Sequence, residues 1–306
     1  MARVFAPTAV SCFFTVEGLD ENGRAVRPLQ LVGAKGGGFK LALGTVSEVR
    51  LARRDSVYFN GRRREGSTTH TLAGLVRERL GVGDGFEVRH RVPVPVGCGF
   101  GTSASASLGA AVGMLLALGR RSTLKLPAQL AHEAEILART GLGTVGSLYA
   151  SSGSGGLITR AGGPGVCELQ PFLERHSRFE VVAVTLGPRP KGPILTSKEY
   201  IRAVNREGNL TLQRVMESPS SEAMVRESRR FAQRTGLLTG RVAEICAEME
   251  KRGALAATQN MIGDAAHGIV ESGEGEEVAA RMRKAHPSAS VVVTPLCEGG
   301  VRIEEG

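Results

Sequence analysis

The chain has 306 residues, 42% of them hydrophobic and 23% charged, with a formal net charge of +9. That length and apolar share support a substantial buried core and exclude a disordered chain. No run of about 18 apolar residues is present, so no spanning helix is expected; the basic surplus suits an anionic small molecule, and the lack of interleaved aromatics argues against nucleic acid.

The N-terminal segment "RVFAPTAVSCFFTVEG" reads as strand, turn and strand. "GTVSEVRLARRDSVYFNGRRRE" alternates around Asn60-Gly61, a strong hairpin signal. Thr68 or Thr69 suits the cap of a helix running to Leu80 and closed by Gly81. "GFEVRHRVPVPVG" alternates again as a strand, and a helix follows from about Thr102 to Leu118. Pro127 fits the first turn of the next helix, "PAQLAHEAEILART".

"TGLGTVGSLYASSGSGGLITRAGGPG" reads as loop, short helix, Gly-rich loop and strand. "FEVVAVTLGPRPKGPI" is a strand entering a Pro/Gly turn. The pattern from Ser197 to Ala285 is mostly helical, and the end is two strands joined by a Gly-containing turn. Strands mixed with helices, then helices with a closing strand pair, predict an α+β fold of two lobes. The seam is expected between 163 and 180, giving an N-terminal domain over 1–165 and a C-terminal one over 166–306. The five cysteines are far apart, without zinc spacing, and no leader segment is read, so reduced thiols and a cytoplasmic location are expected.

Most of the chemistry points to "PVGCGFGTSASASLGAA", beginning at Pro95. Glycines before a helix start let a phosphate approach free backbone N–H groups and the positive end of the helix dipole. Gly97, Gly99 and Gly101 alternate through the approach, and Thr102, Ser103 and Ser105 add hydroxyls. There is no Walker sequence, and no βαβ unit surrounds the loop as a dinucleotide fold requires. The structural alternative is a helix start packed closely against a sheet by small residues.

The stretch resembles the P-x-x-x-G-L-G-S-S-A signature of the GHMP kinases, the superfamily of galactokinase, homoserine kinase and mevalonate kinase. Within it, the archaeal pantoate kinase family is the nearest match. "APTAVSCFFTV", "RPLQLVGAKGGGFKL", "GCGFGTSASA", "AHEAEILARTGLGTV", "GGLITRAGGPG", "KGPILTSKE" and "TQNMIGDAAHGI" resemble its blocks in order. The resemblance covers most of the chain. It implies a ribosomal-protein-S5-like N-terminal lobe, a ferredoxin-like C-terminal lobe, and ATP-dependent phosphorylation of a small hydroxy acid, (R)-pantoate. Another small acceptor, or a non-catalytic nucleotide-binding role, is the alternative. A homodimer is an expectation of the resemblance only.

The resemblance also implies roles. Gly97, Cys98, Gly99, Phe100, Gly101, Thr102, Ser103, Ala104 and Ser105 would cradle the ATP phosphates. Ser103 and Glu135 would hold Mg2+, with Glu133 the near competitor of Glu135. His132, Arg160 and Lys35 would face the pantoate, and Lys191 is a further cation in a Gly-rich turn. Asn260 to Gly263 would face the site, with Asp264 a supporting acid, while His267 reads as packing. Three departures stand out. Thr144 occupies the position of the family's aspartate, the expected base or orienter of the substrate hydroxyl. Gly33-Ala34-Lys35-Gly36 replaces a G-S-R-G segment. Extra sequence, "YASSGSGG", precedes Arg160.

Overall fold

A computed structural model of the chain describes residues 1–20, 23–150, 153–189 and 197–304. Strand β1 (Ala2–Phe14) is one continuous strand, not the expected strand-turn-strand. Register shifts at Pro7/Thr8 and Ser11/Phe13 absorb the irregularity that read as a turn. A proline lacks the N–H a regular ladder needs, and a bulge tolerates it.

Strand β2 (Gly36–Ala52) pairs antiparallel with β1. Its three leading glycines lie in the strand. A Cβ at Gly36 or Gly38 would stand 2.2 or 2.3 Å from the carbonyl of Phe13 or Val10. Glycine is needed there because the two backbones approach so closely.

Strands β3 (Ser56–Phe59) and β4 (Arg62–Arg63) flank the Asn60-Gly61 turn, both of whose residues have positive φ, as the dipeptide predicts. Helix α1 (Thr68–Leu80) is capped by Ser67, one residue earlier than expected. His70 folds back on that hydroxyl at 2.9 Å. Gly81 closes the helix in the left-handed conformation, as read from sequence.

Strand β5 (Gly85–Arg91) leads to helices α2 (Thr102–Ala117), α3 (Lys125–Leu137) and α4 (Thr144–Tyr149). Strands β6 (Gly155–Arg160) and β7 (Glu168–Pro171) complete this half. The first sheet runs β12-β1-β2-β5-β3-β4, with β6 on β2 and β7 on β6; here β12 is Arg302–Glu304.

The chain then passes into β8 (Phe179–Gly187), helices α5 (Lys198–Glu217), α6 (Ser221–Arg234) and α7 (Gly240–Lys251), and strands β9 (Ala256–Gln259) and β10 (Asp264–Glu271). Helix α8 (Gly275–Ala285) and strand β11 (Ser290–Pro295) follow. The second sheet is antiparallel, β11-β8-β10-β9. The expected run of helix over 197–285 is therefore interrupted by a strand pair. The final two strands do not pair with each other: β11 joins the second sheet and β12 the first.

Helices α1 to α3 cover one face of the first sheet through Leu72, Val76, Leu108, Met114 and Leu130. The other face shares a continuous core with the second sheet and α5 and α6, through Phe13, Phe39, Phe179, Val215 and Phe231. Helices α7 and α8 cover the far face of the second sheet. Helix α2 lies close to β1 and β2 because its inward residues are small. A Cβ at Gly109 would meet Ser47 Oγ at 2.8 Å, and one at Gly113 would meet Val49 Cγ2 at 2.5 Å. The structural alternative read from sequence thus holds for the middle of this segment, which is a close helix-sheet contact. No helix among the described residues is long and apolar enough to cross a membrane.

Candidate active site

The loop between β5 and α2 is fixed at three points. At its start, the Asn60 side chain accepts from Val92 N (2.8 Å) and donates to Val92 O (3.0 Å), imitating a neighbouring strand. In its middle, Ala9 N of β1 donates to Phe100 O at 3.1 Å. At its end, Ser105 donates to Ala6 O (2.7 Å) and accepts from Thr45 N (3.3 Å), joining α2 to the sheet.

Gly97, Gly99 and Gly101 have φ of +82°, +83° and +58°, a region in which a Cβ is strained. Space is closed as well: a Cβ on Gly99 would lie 2.6 Å from that of Asn260, and one on Gly101 would lie 2.9 Å from Thr144 Cγ2.

The loop is held from the second sheet by a buried chain of donors. Asn260 Nδ2 donates to Cys98 O at 3.3 Å. Its Oδ1 therefore faces His267 Nδ1, 2.7 Å away, which must carry the proton. His267 Nε2 is then bare and accepts from the Cys12 thiol at 3.5 Å. Burial holds the His267 pKa down at about 3 and pushes that of Cys12 up to about 12, so both stay neutral. His267 packs, as the sequence implied, and it also orients Asn260.

Beside the loop lies a cavity of about 160 Å³. Gly97, Gly99, Phe100, Gly101, Thr102 and Ser103 line it, so the loop and the start of α2 open into it. Cys98, Ala104 and Ser105 do not line it; the Ser105 hydroxyl is taken up by the sheet. Glu135, only 1% exposed, reaches the wall from α3 and accepts from Thr140 Oγ1 at 3.2 Å. Gly141 lies so close that a Cβ there would stand 2.4 Å from Glu135 Oε2. Glu133, its competitor, is instead paired with Arg79 and bonded by Gln30.

Thr144 begins α4 and lines the cavity. Lys35 lines it too, its Nζ 3.0 Å from both Glu17 Oε1 and Asn209 Oδ1. Met261 and Ile262 close another side. Asp264 accepts from Thr239.

Two expected acceptor-facing residues do not line the cavity. His132 is buried and donates from Nε2 to Val32 O at 3.0 Å; burial lowers its pKa. Arg160 donates to Val166 O and pairs with Glu168 at 3.0 Å on the surface. Both side chains are occupied by local partners. Lys191 lies outside the described residues.

Among the cavity residues not read from sequence are Lys40 and Ser154. Lys40 is flanked by the core residues Phe39 and Leu41 in a sheet covered on both faces, where alternation does not reveal which side meets the cavity. Ser154 belongs to the extra glycine-serine segment before Arg160.

A glycine loop opening a helix beside a buried glutamate, in this α+β architecture, defines a class. Residues 68–151 match the GHMP kinases N terminal domain. The chain belongs to the GHMP kinase family and is a kinase of that family. It is 31% identical over 288 residues, 90% of each chain, to a pantoate kinase of Thermococcus kodakarensis. It is 26% identical over 162 residues to a pantoate kinase of Methanocaldococcus jannaschii, covering 51% of this chain and 57% of that one. A solved structure of a phosphotransferase related to the CoA biosynthesis pathway superposes with a TM-score of 0.83 at 27% identity, over 99% of this chain and 98% of the other. Homoserine kinase from Cytophaga hutchinsonii shares the fold, with a TM-score of 0.68 at 16% identity over 99% and 97% of the two chains.

Proposed function

We propose that the protein transfers the γ-phosphoryl group of ATP to the primary hydroxyl of (R)-pantoate, giving ADP and 4-phosphopantoate, a step toward coenzyme A. The observation that carries this reading is the meeting of the glycine loop, the start of α2 and the buried Glu135 in one cavity. The resemblance to pantoate kinase over 90% of both chains supports the choice of acceptor.

The nucleotide phosphates fit the loop because positive-φ glycines turn backbone N–H groups toward a ligand at a helix N-terminus. Ser103 and Glu135 offer a hydroxyl and a carboxylate on the same wall. One or two protein oxygens completed by phosphate oxygens and water suit Mg2+. When bound, Mg2+ would neutralise charge developing on the phosphates.

Lys35 offers a cation at the acceptor end, held in place by Glu17 and Asn209. His132 and Arg160 act on that end by fixing backbone, through the carbonyls of Val32 and Val166. The Thr144 hydroxyl can orient the acceptor hydroxyl but cannot take its proton at neutral pH. Catalysis then rests on positioning and electrostatics, which dominate phosphoryl transfer. We place the protein in the cytoplasm, in keeping with five free thiols.

Thr144 favours one second reading, a homologue that binds nucleotide without transferring phosphoryl. ADP release from magnesium-ATP, with and without (R)-pantoate, separates the two. Pantoate-dependent ADP is expected. ATP binding without it supports the second reading, and turnover with a different hydroxy acid moves the acceptor within the class.

A further inference from the structure

Lys40 is 6% exposed, and no other lysine or arginine among the described residues is buried. It lies on the wall of the cavity. Its ammonium donates to the Gly299 carbonyl at 3.2 Å and pairs with no carboxylate among the described residues. The Cys297 thiol shares that carbonyl, at 3.4 Å.

A buried cation without a counter-charge is costly to fold. Desolvation lowers the Lys40 pKa accordingly. A hydrophobic residue of the same length would serve the sheet better, so the charge has a use other than packing.

The neighbourhood indicates the use. Lys40 N donates to Ser154 O at 2.7 Å, so the two residues are adjacent across the sheet edge. The Ser154 hydroxyl is buried, has no hydrogen-bond partner among the described residues, and belongs to a residue of the same cavity wall. On the other side Lys40 pairs across the ladder with Ala9. Ala9 N holds Phe100 O of the glycine loop, and Gly101 of that loop lies against Thr144. A cation without a counter-charge and a hydroxyl without a partner among the described residues thus belong to adjacent residues of the cavity wall, one strand from the glycine loop.

We propose that Lys40 Nζ and Ser154 Oγ form an anion subsite that takes an anionic oxygen of the bound reactants. Two sources carry that chemistry, the transferring phosphoryl group and the carboxylate of the acceptor. The link through Ala9 to Phe100 favours the phosphoryl group. The assignment rests on the kinase reading above.

The test compares wild type, Lys40→Met, Lys40→Arg and Ser154→Ala. Melting temperatures are taken without ligand, and steady-state ADP release is measured with both substrates varied. Lys40→Met is expected to keep or raise the melting temperature while losing about 10- to 100-fold in turnover, the scale of one hydrogen bond to a charged group. Lys40→Arg should restore part of that loss, and Ser154→Ala should show a smaller one. A fall in kcat with the acceptor KM unchanged assigns the phosphoryl group. A raised acceptor KM with kcat kept assigns the carboxylate.

Unchanged kinetics in Lys40→Met overturn the subsite. So does a loss of activity that merely follows a loss of melting temperature. If wild type shows no acceptor-dependent turnover, the kinase reading fails separately. The subsite is then judged by tripolyphosphate binding without metal, and equal affinity in wild type and Lys40→Met overturns it.

Discussion

The side-chain amide of Asn260 donates to the backbone carbonyl of Cys98, a residue 162 positions earlier in the chain. One hydrogen bond thereby ties the glycine loop of the first sheet to the strand pair of the second. Replacing Asn260 with Ala leaves the Cys98 carbonyl and His267 Nδ1 unpaired in the interior. We expect a loss of about 1–3 kcal/mol in stability for each such group and a rise of about tenfold in the KM for ATP. The acceptor KM should move little. Denaturant melts and a two-substrate titration check both.

His267 and His90 are held neutral by burial, each with a pKa of about 3. In the unfolded chain they titrate near 6.5. A depressed histidine pKa stabilises the fold above 6.5, and that stability is lost as pH falls toward 3. Between pH 6.5 and 5 each group should remove up to about 1.4 kcal/mol per pH unit. His132, shifted the same way by burial, steepens the slope. Denaturant unfolding across this window should show uptake of at least two protons, and His267→Gln should take one away. A flat profile would contradict the burial of these rings.

Thr144→Asp restores a carboxylate at the start of α4. We expect kcat with pantoate to rise by about tenfold or more, since a positioned base contributes about 10²–10⁴-fold where one is used. The pH-rate profile should gain an acidic limb. An unchanged kcat would mean that the reaction proceeds without a base at that position.

Glu135→Gln keeps the shape of a buried side chain and removes its charge. We expect kcat to fall about 100-fold and the magnesium concentration at half-maximal rate to rise, with little change in melting temperature. A variant with wild-type magnesium dependence would remove Glu135 from the metal.

Ser103 and Ser105 are two residues apart and should respond in opposite ways. Ser105→Ala loses two buried hydrogen bonds to the sheet, so about 1–3 kcal/mol of stability should go while the KM for ATP holds. Ser103→Ala should lose turnover and keep its melting temperature. Equal behaviour of the pair would refute this division of labour.

The glycine loop, the helix behind it and the Asn60-Gly61 hairpin were legible because each depends on a local backbone requirement written in adjacent residues. Gly81 and the order of the helices in the first half followed from the same kind of signal. That His132 and Arg160 do not line the cavity was not legible, because their partners are carbonyls of Val32 and Val166, and a backbone acceptor carries no residue type for sequence to announce. Lys40 escaped notice because its strand is covered on both faces, so no alternation marks the side that meets the cavity. Strands β9 and β10 were hidden by their composition. "AATQ" and "DAAHGIVE" are rich in alanine, a residue that favours helix until packing overrides it.

Strand β12 lies against β1, with Arg302 over the ring of Phe5 at 3.6 Å and Glu304 paired with Arg3 at 3.0 Å. The sheet that carries the glycine loop is therefore finished by residues made after the whole second sheet. Until then one edge of β1 is bare, and the nascent protein carries an open ladder through the synthesis of the whole second sheet. Order of manufacture and order of assembly differ in this molecule, and disrupting β12 should harm the half of the protein that was made first.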